Sequence, residues 1–193
     1  MNSEMKLKIT LSGIELPIWR TIVVDSSSTF YELHHIIQIA FGWQNWHMFE
    51  FEMDDYIITM PNPEIDLITV PANEIKLGKI LSEGSIVKYQ YDFGDCWDHI
   101  ITVEEVSEVK VRRLPYCLDG GRCAPPEDCG GVPGYEHLVN VITNKKHPEH
   151  DEFIKFILDN DFSLEYFNIK EVNRGLSELT NYIKEYEDGH SDE

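Results

Sequence analysis

The chain reads IVKYQYDFGDCWDHIITV from Ile86 to Val103. Apolar or aromatic residues take every second position as far as Phe93, with polar residues between them, which is the period of a strand with one buried face. A break at Gly94-Asp95 separates this run from a second β-rich run. The pattern therefore predicts a β-hairpin with a titratable tip. The side chains expected at this tip are Asp92, Asp95, Asp98 and His99, beside Trp97.

The residues before the hairpin have the order ββα-ββ. Strands are predicted over 6–12, 18–24, 47–53 and 56–60, and a helix over 29–41. Thr29 and Glu32 have the spacing of a capping box at the helix start, and Gly42 suits the helix end. This order predicts the α+β class, with a helix packed across one mostly antiparallel sheet, as in β-grasp folds.

The second half of the chain has a different composition. Residues 111–135 are dense in Gly and Pro and are predicted to form one long ordered loop. Helices are expected over 135–143, 152–158 and 170–186. The 193 residues are interpreted as a single domain. Its parts are a sheet core over 5–110, the loop over 111–135, a helical part over 136–186 and a frayed tail over 187–193.

Charge and hydropathy limit the classes of partner. Lys and Arg total 16 against 35 Asp and Glu, a net charge of −19, which repels phosphate backbones and disfavours general nucleic-acid binding. No apolar run approaches the roughly 18–20 residues of a membrane span, and the first residues resemble no signal peptide. We therefore expect a soluble, cytoplasmic protein without membrane partners, whose four cysteines are thiols or metal ligands rather than disulfides.

Acidic residues of the loop and the hairpin tip are candidates for one site if the loop folds back. Oxygen ligands with one imidazole suit a divalent metal, and paired carboxylates also suit acid–base work. The metal ligands would be Asp95, His99, Glu127 and Asp128, with Asp92 beside them. The structural interpretation is that these carboxylates cap turn amides or tie down the loop, and the pattern favours it. A pocket lined by histidines and tryptophans of the first half is a further possibility, but an aromatic core with a solvent-facing histidine is favoured; these residues are His34, His35, His47, Trp19, Trp43 and Trp46.

A second candidate is a structural zinc at Cys117, Cys123 and Cys129, with Cys96 or His99 as a fourth ligand. Zinc sites usually place two cysteines two to four residues apart on one turn. The spacing here leaves five residues between consecutive cysteines, so buried thiols are favoured.

Several short motifs occur together in order. They are Pro17-Ile18-Trp19-Arg20, Leu33-His34, Phe41-Gly42-Trp43 with His47, Tyr91-Asp92-Phe93-Gly94-Asp95 with Trp97 and His99, Pro125-Pro126-Glu127-Asp128 with Gly130-Gly131, Gly134-Tyr135 and Asn173. On these motifs the chain resembles the plasmid pRiA4b ORF-three-like family, also labelled insertion-element passenger TnpR-like, over residues 5–180. The resemblance implies a small α+β domain and no particular activity. Its mobile-element association implies a resolvase-like role, but Ser26-Ser27-Ser28 has no arginine cluster to hold phosphate.

Three functions are compatible with these observations. The leading hypothesis is a non-enzymatic binding domain that uses the 92–99 hairpin tip and the 115–135 loop for a protein, peptide or small ligand. It predicts an exposed apolar patch beside the loop. The alternative is a metal-dependent, hydrolase-like enzyme, and the third is a mobile-element-associated DNA role. The candidate surface residues are Asp92, Asp95, Trp97, His99, Glu127 and Asp128.

Overall fold

A computed structural model describes residues 3–61, 69–109, 113–159 and 162–189. Within these ranges the strands are β1 (Ser3–Leu11), β2 (Trp19–Asp25), β3 (Phe49–Glu52), β4 (Ile57–Thr59), β5 (Thr69–Pro71), β6 (Ile86–Tyr91), β7 (Trp97–Glu108) and β8 (Tyr116–Gly121). The helices are α1 (Phe30–Phe41), α2 (Leu77–Ile80), α3 (Gly131–Thr143), α4 (His150–Asp159), α5 (Ile169–Ser177) and α6 (Leu179–Gly189).

The strands form one sheet in the order β5-β4-β3-β6-β7-β1-β2-β8. Each neighbouring pair is antiparallel except β4 with β5, so the predicted α+β class and mostly antiparallel sheet are confirmed. The central hairpin is β6–β7, in which Tyr89 lies opposite His99 and Tyr91 opposite Trp97. All four side chains are completely buried, because alternate residues of a strand point to the same face.

Helix α1 lies across the sheet and is capped as the sequence predicts. Thr29 accepts a hydrogen bond from the Glu32 amide at 3.1 Å, and Glu32 accepts one from the Thr29 amide at 2.7 Å. Gly42 ends the helix in the left-handed region, with a φ of 80°. One side of α1 meets the sheet through Phe30, whose ring centroid lies 5.0 Å from that of Phe51. The other side contacts α5 and α6, so α1 is buried between the sheet and the C-terminal helices.

The segment 111–135 differs from the prediction of one long loop, because it contains β8 and the start of α3. Strand β8 pairs with β2 through its backbone, which needs no apolar alternation in the sequence. Its glycines allow close packing: a Cβ at Gly120 would lie 2.5 Å from the Phe167 ring, and one at Gly121 would lie 2.8 Å from the Trp19 indole nitrogen. The connection between β8 and α3 is therefore only residues 122–130.

The C-terminal part also differs in detail. The helix expected over 170–186 is divided into α5 and α6 at Glu178. Helix α6 continues to Gly189, through the first residues of the expected frayed tail, and 190–193 lie outside the described residues. Asn173 of α5 is bonded to both backbone groups of Cys117 in β8, at 2.7 and 2.9 Å, which holds the helix against the sheet edge.

The hydrophobic core continues from the sheet into the C-terminal half, where Tyr135, Leu138 and Leu176 belong to it. In the described ranges, none of the helices combines the length and apolarity that crossing a membrane requires.

Candidate functional site

The Pro-Pro-Glu-Asp segment, residues 125–128 and hereafter the PPED loop, folds back over the tip of the β6–β7 hairpin. Two hydrogen bonds hold the loop from its ends. The indole N–H of Trp43 donates to the Pro125 carbonyl at 3.0 Å, and the Gly130 amide donates to Asp95 Oδ2 at 3.2 Å. The loop and the hairpin tip therefore form one continuous surface.

Glu127 connects the loop to two other segments. Its Oε1 accepts hydrogen bonds from the Tyr91 hydroxyl at 2.8 Å and from the Gln44 amide at 3.0 Å. The Tyr91 oxygen accepts a further bond from the Trp46 amide at 3.1 Å. Burial, followed by the Glu127 contact, raises the pKa of Tyr91 far above its ordinary value, so the phenol is neutral and donates. This contact supports the structural interpretation of Glu127.

Three side chains from separate segments meet beside this contact. His47 Nε2 lies 3.3 Å from Asp128 Oδ1 and 3.6 Å from Asp92 Oδ2, and one possible ligand atom of each residue lies within 4.8 Å of those of the other two. Among the described residues, this is the one group of three or more His, Cys, Asp or Glu side chains close enough to share a metal ion. We call it the His47 group.

The backbone directs both carboxylates of the group. Asp92 and Asp128 have φ values of 58° and 54°, in the left-handed region that Asp tolerates better than most residues. Asp92 Oδ1 accepts bonds from the amides of Gly94 at 2.8 Å and Asp95 at 3.3 Å, which leaves Oδ2 facing His47. Asp92 thus caps the turn, as the structural interpretation expects, and also faces the group.

Two of the six candidate surface residues lie in the core, which corrects the prediction that His99 supplies the imidazole of an exposed site. His99 and Trp97 are both 0% exposed. The His99 ring packs edge-on against Phe41 and Trp43, at centroid distances of 4.9 and 5.3 Å. Its Nδ1 lies 2.9 Å from the Trp97 carbonyl, and burial lowers its pKa to about 3. His47, not His99, lies beside the carboxylates.

The cysteines do not assemble into a zinc site in the described part of the chain. Cys117 is buried in β8, where its thiol contacts the Asp119 carbonyl at 3.3 Å. Burial raises the pKa of Cys117 to about 11 and, with the charge of Asp95, that of Cys129 to about 12. Burial therefore favours the protonated thiol form of both cysteines.

A cleft of about 420 Å³ borders the PPED loop. Glu127 lines it, whereas Asp128, the next residue, belongs to the His47 group. The walls are the end of α1, Trp43 and Gln44, the loop residues 123–127, and the segment 162–175. Both aromatic and acidic side chains contribute, among them Phe41, Phe162, Tyr166 and Glu171.

Arg20 forms part of the cleft wall and is 3% exposed. Its guanidinium donates to the carbonyls of Trp19, Ala40, Gly121 and Arg122, at 2.7–3.0 Å. The same group lies between the rings of Phe41 and Phe167, at 4.9 and 4.6 Å from their centroids. Arg20 joins α1 to β2 and β8, so its bonds are structural.

Two large apolar side chains are exposed on either side of His47. Trp46 is 61% exposed and Met48 is 52% exposed. The sequence prediction did not identify this patch or the role of His47. No spacing rule connects 46–48 with Asp92 or Asp128, and the signal available was the place of His47 among the family motifs.

Comparisons with known proteins agree with this fold and name no activity. A family model described as plasmid pRiA4b ORF-3-like protein matches residues 3–171. The chain is 30% identical over 179 residues to "Uncharacterized protein y4hQ" of Sinorhizobium fredii, covering 92% of each protein. A crystal structure of a protein of unknown function, MM3350 from Methanosarcina mazei Go1, is 33% identical. It matches with a TM-score of 0.82, over 89% of this chain and 98% of that one.

Proposed function

This chain belongs to the plasmid pRiA4b ORF-3-like family, and we propose that it is a non-enzymatic binding domain for a positively charged peptide segment of a partner protein. The binding surface is the PPED loop, the hairpin tip and the patch formed by Trp46 and Met48.

The observation that carries this proposal is the exposed Trp46, 61% accessible and next in sequence to the His47 group. Tryptophan is the side chain most often found at the energetic centre of protein interfaces, because it buries a large area at a low cost in conformational entropy. Met48, 52% exposed, adds an adaptable apolar contact on the other side of His47. An exposed apolar patch beside the loop is what the binding-domain hypothesis predicts.

Charge complementarity supports a cationic partner. The chain has a net charge of −19, and Asp128 at the patch has a side chain that is 65% exposed. This negative charge attracts the arginine or lysine side chains of a partner, which can also make a cation–π contact with the face of Trp46. The same negative charge repels the phosphates of nucleic acid, so the mobile-element-associated DNA role is the weaker alternative.

The cleft beside the loop supports a peptide rather than an isolated cation. Its volume of about 420 Å³ and its aromatic residues Phe41, Phe162 and Tyr166 suit an apolar side chain of the peptide. Glu127 and Glu171 line the same cleft and suit a neighbouring cationic residue. We place the domain in the cytoplasm, because its four cysteines are free.

The test is fluorescence anisotropy with a short dye-labelled peptide of alternating arginine and leucine. We expect Trp46→Ala to weaken binding about 30-fold, because removing a central interface tryptophan costs about 2 kcal/mol. Leu158→Ala is the matched control, since Leu158 of α4 is 71% exposed and should bind the peptide as the wild type does.

A second pair of variants tests the charge contribution. Asp128→Asn should weaken peptide binding, and Asp151→Asn, at a fully exposed carboxylate on α4, should not. Equal effects of Asp128→Asn and Asp151→Asn would mean that the peptide responds to the overall negative charge, and equal effects of Trp46→Ala and Leu158→Ala would mean that Trp46 is not at the interface. Either outcome would contradict the proposed surface, as would the absence of measurable binding.

A further inference from the structure

We propose that His47, Asp92 and Asp128 bind a divalent first-row transition metal ion, Zn²⁺ or Mn²⁺, through Nε2, Oδ2 and Oδ1 respectively. The three residues lie in the segment before β3, the hairpin tip and the PPED loop. This ion site shares Asp128 with the proposed peptide surface, but it is argued from the three ligand side chains and not from peptide binding.

The distances match those of a coordination sphere. Ligand atoms bound at about 2.0–2.2 Å to a tetrahedral metal are separated by about 3.3–3.6 Å. The two measured separations from His47 Nε2 are 3.3 Å to Asp128 and 3.6 Å to Asp92. One ligand atom of each residue lies within 4.8 Å of those of the other two, and the exposed Asp128 side chain is free to rotate toward a shared ion.

The imidazole nitrogen provides an independent observation. His47 Nε2 is shielded from solvent and has no hydrogen-bond partner with acceptable geometry among the described residues, although two carboxylate oxygens lie within 3.6 Å of it. In a simple ion pair an N–H at this position would donate to one of those oxygens. A buried polar atom without a partner is costly, and a shared metal ion would satisfy it together with both carboxylates.

The surrounding contacts hold the ligand residues in place. The Tyr91 oxygen accepts a hydrogen bond from the amide of Trp46, the residue before His47. The Tyr91 hydroxyl donates a hydrogen bond to Glu127, the residue before Asp128. One tyrosine therefore fixes the segments that carry two of the three ligands. Asp92 is held by the turn amides, as described above. Such supporting bonds orient the ligands before the ion arrives and raise affinity.

The ligand types select the class of ion. Imidazole nitrogen with carboxylate oxygen suits Zn²⁺ and Mn²⁺, whereas Mg²⁺ and Ca²⁺ prefer oxygen ligands. The two carboxylates neutralise the charge of a divalent ion. Three protein ligands leave at least one coordination position for water or a partner group, as in open metal sites.

The experiment is isothermal titration calorimetry of the untagged, chelator-treated protein with MnCl₂, ZnCl₂ and MgCl₂ in turn. Mn²⁺ is used because it binds to the four thiols less readily than Zn²⁺ does. We expect one Mn²⁺ and one Zn²⁺ per chain, with Mg²⁺ bound more weakly. Asp128→Asn and His47→Gln should each lower the affinity for Mn²⁺ at least about tenfold. Both residues are partly exposed, and urea unfolding will verify that the variants are folded.

The matched control is a second His–Asp contact elsewhere on the surface. His150 Nδ1 lies 3.4 Å from Asp151 Oδ1, but among the described residues no third ligand completes a group there. His150→Gln should bind Mn²⁺ as the wild type does. The proposal is wrong if Mn²⁺ does not bind stoichiometrically, or if folded Asp128→Asn and His47→Gln keep wild-type affinity. Zn²⁺ binding that Cys123→Ser removes and Asp128→Asn does not would also overturn it. The peptide titration, repeated with EDTA, reports on the Trp46 surface alone.

Discussion

Gly131→Ala should separate the PPED loop from the hairpin tip and destabilise the fold. Gly131 is the first residue of α3 and has a φ of 65°, which side chains rarely adopt. A Cβ at this position would lie 2.5 Å from the Asp95 carbonyl oxygen. That oxygen belongs to the backbone of the hairpin tip, so the contact is not relieved by rotating a side chain.

Two contributions determine the size of the effect. An L-residue in the left-handed region costs about 1–2 kcal/mol. Ordinary contacts between carbon and carbonyl oxygen are about 3.3 Å or longer, so loop and tip must separate by about 0.8 Å. Such overpacking typically costs about 1–3 kcal/mol. We expect Gly131→Ala to lower the free energy of unfolding by about 2–5 kcal/mol.

Two other glycines of the chain isolate each contribution. Gly42 also has a positive φ, 80°, but a Cβ there meets nothing within 4 Å in the described part of the chain, so Gly42→Ala should cost only the backbone contribution of about 1–2 kcal/mol. Gly189 has no positive φ, and a Cβ there would contact none of the described residues within 4 Å, so Gly189→Ala should be close to neutral. Urea unfolding followed by tryptophan fluorescence measures all three. The reasoning is refuted if Gly131→Ala costs no more than Gly42→Ala.

Two further predictions concern buried cations and imidazoles. Burial lowers the pKa of His99 from 6.5 to about 3, so the unfolded chain binds this proton at higher pH than the folded one. The contribution of His99 to the free energy of unfolding is therefore full above pH 6.5 and is lost as the pH falls. The loss is about 2 kcal/mol between pH 7 and pH 5. His99→Phe should flatten that part of the unfolding profile relative to the wild type, and an unchanged profile would contradict this origin of the pH dependence. Arg20→Lys should cost about 2–3 kcal/mol, because an ammonium has three donors where the guanidinium serves four carbonyls. Arg174→Lys on the exposed face of α5 is its control, and equal unfolding midpoints would contradict the role of Arg20.

The features that were predicted correctly depend on residues that are close together in the chain. The alternation from Ile86 to Tyr91 reports which strand face is buried, and the capping box of Thr29 and Glu32 spans one helical turn. Such signals depend on the geometry of the strand and the helix and on neighbouring residues. They were sufficient for the α+β class, the central hairpin and the position of α1.

The interpretation of His99 failed because the alternation along β7 places His99 on the buried face with Trp97 and Ile101, away from the exposed tip. Proximity in sequence to Asp95 made His99 the natural imidazole for the acidic tip. In the structure its register opposite Tyr89 points it into the core. Strand β8 was missed for a related reason. Its residues pair with β2 through the backbone and are glycines where Phe167 and Trp19 pack closely, so they lack a strand pattern of their own.

The sequence by itself determined the class, the hairpin and an acidic surface, because periodicity, caps and net charge are properties of residues close together in the chain or of the whole composition. Only the tertiary structure decided which of those acids face an imidazole. His47, Asp92 and Asp128 are brought together by the Tyr91–Glu127 bond and the fold-back of the PPED loop. Each of these contacts joins residues far apart in sequence, and no local pattern specifies them.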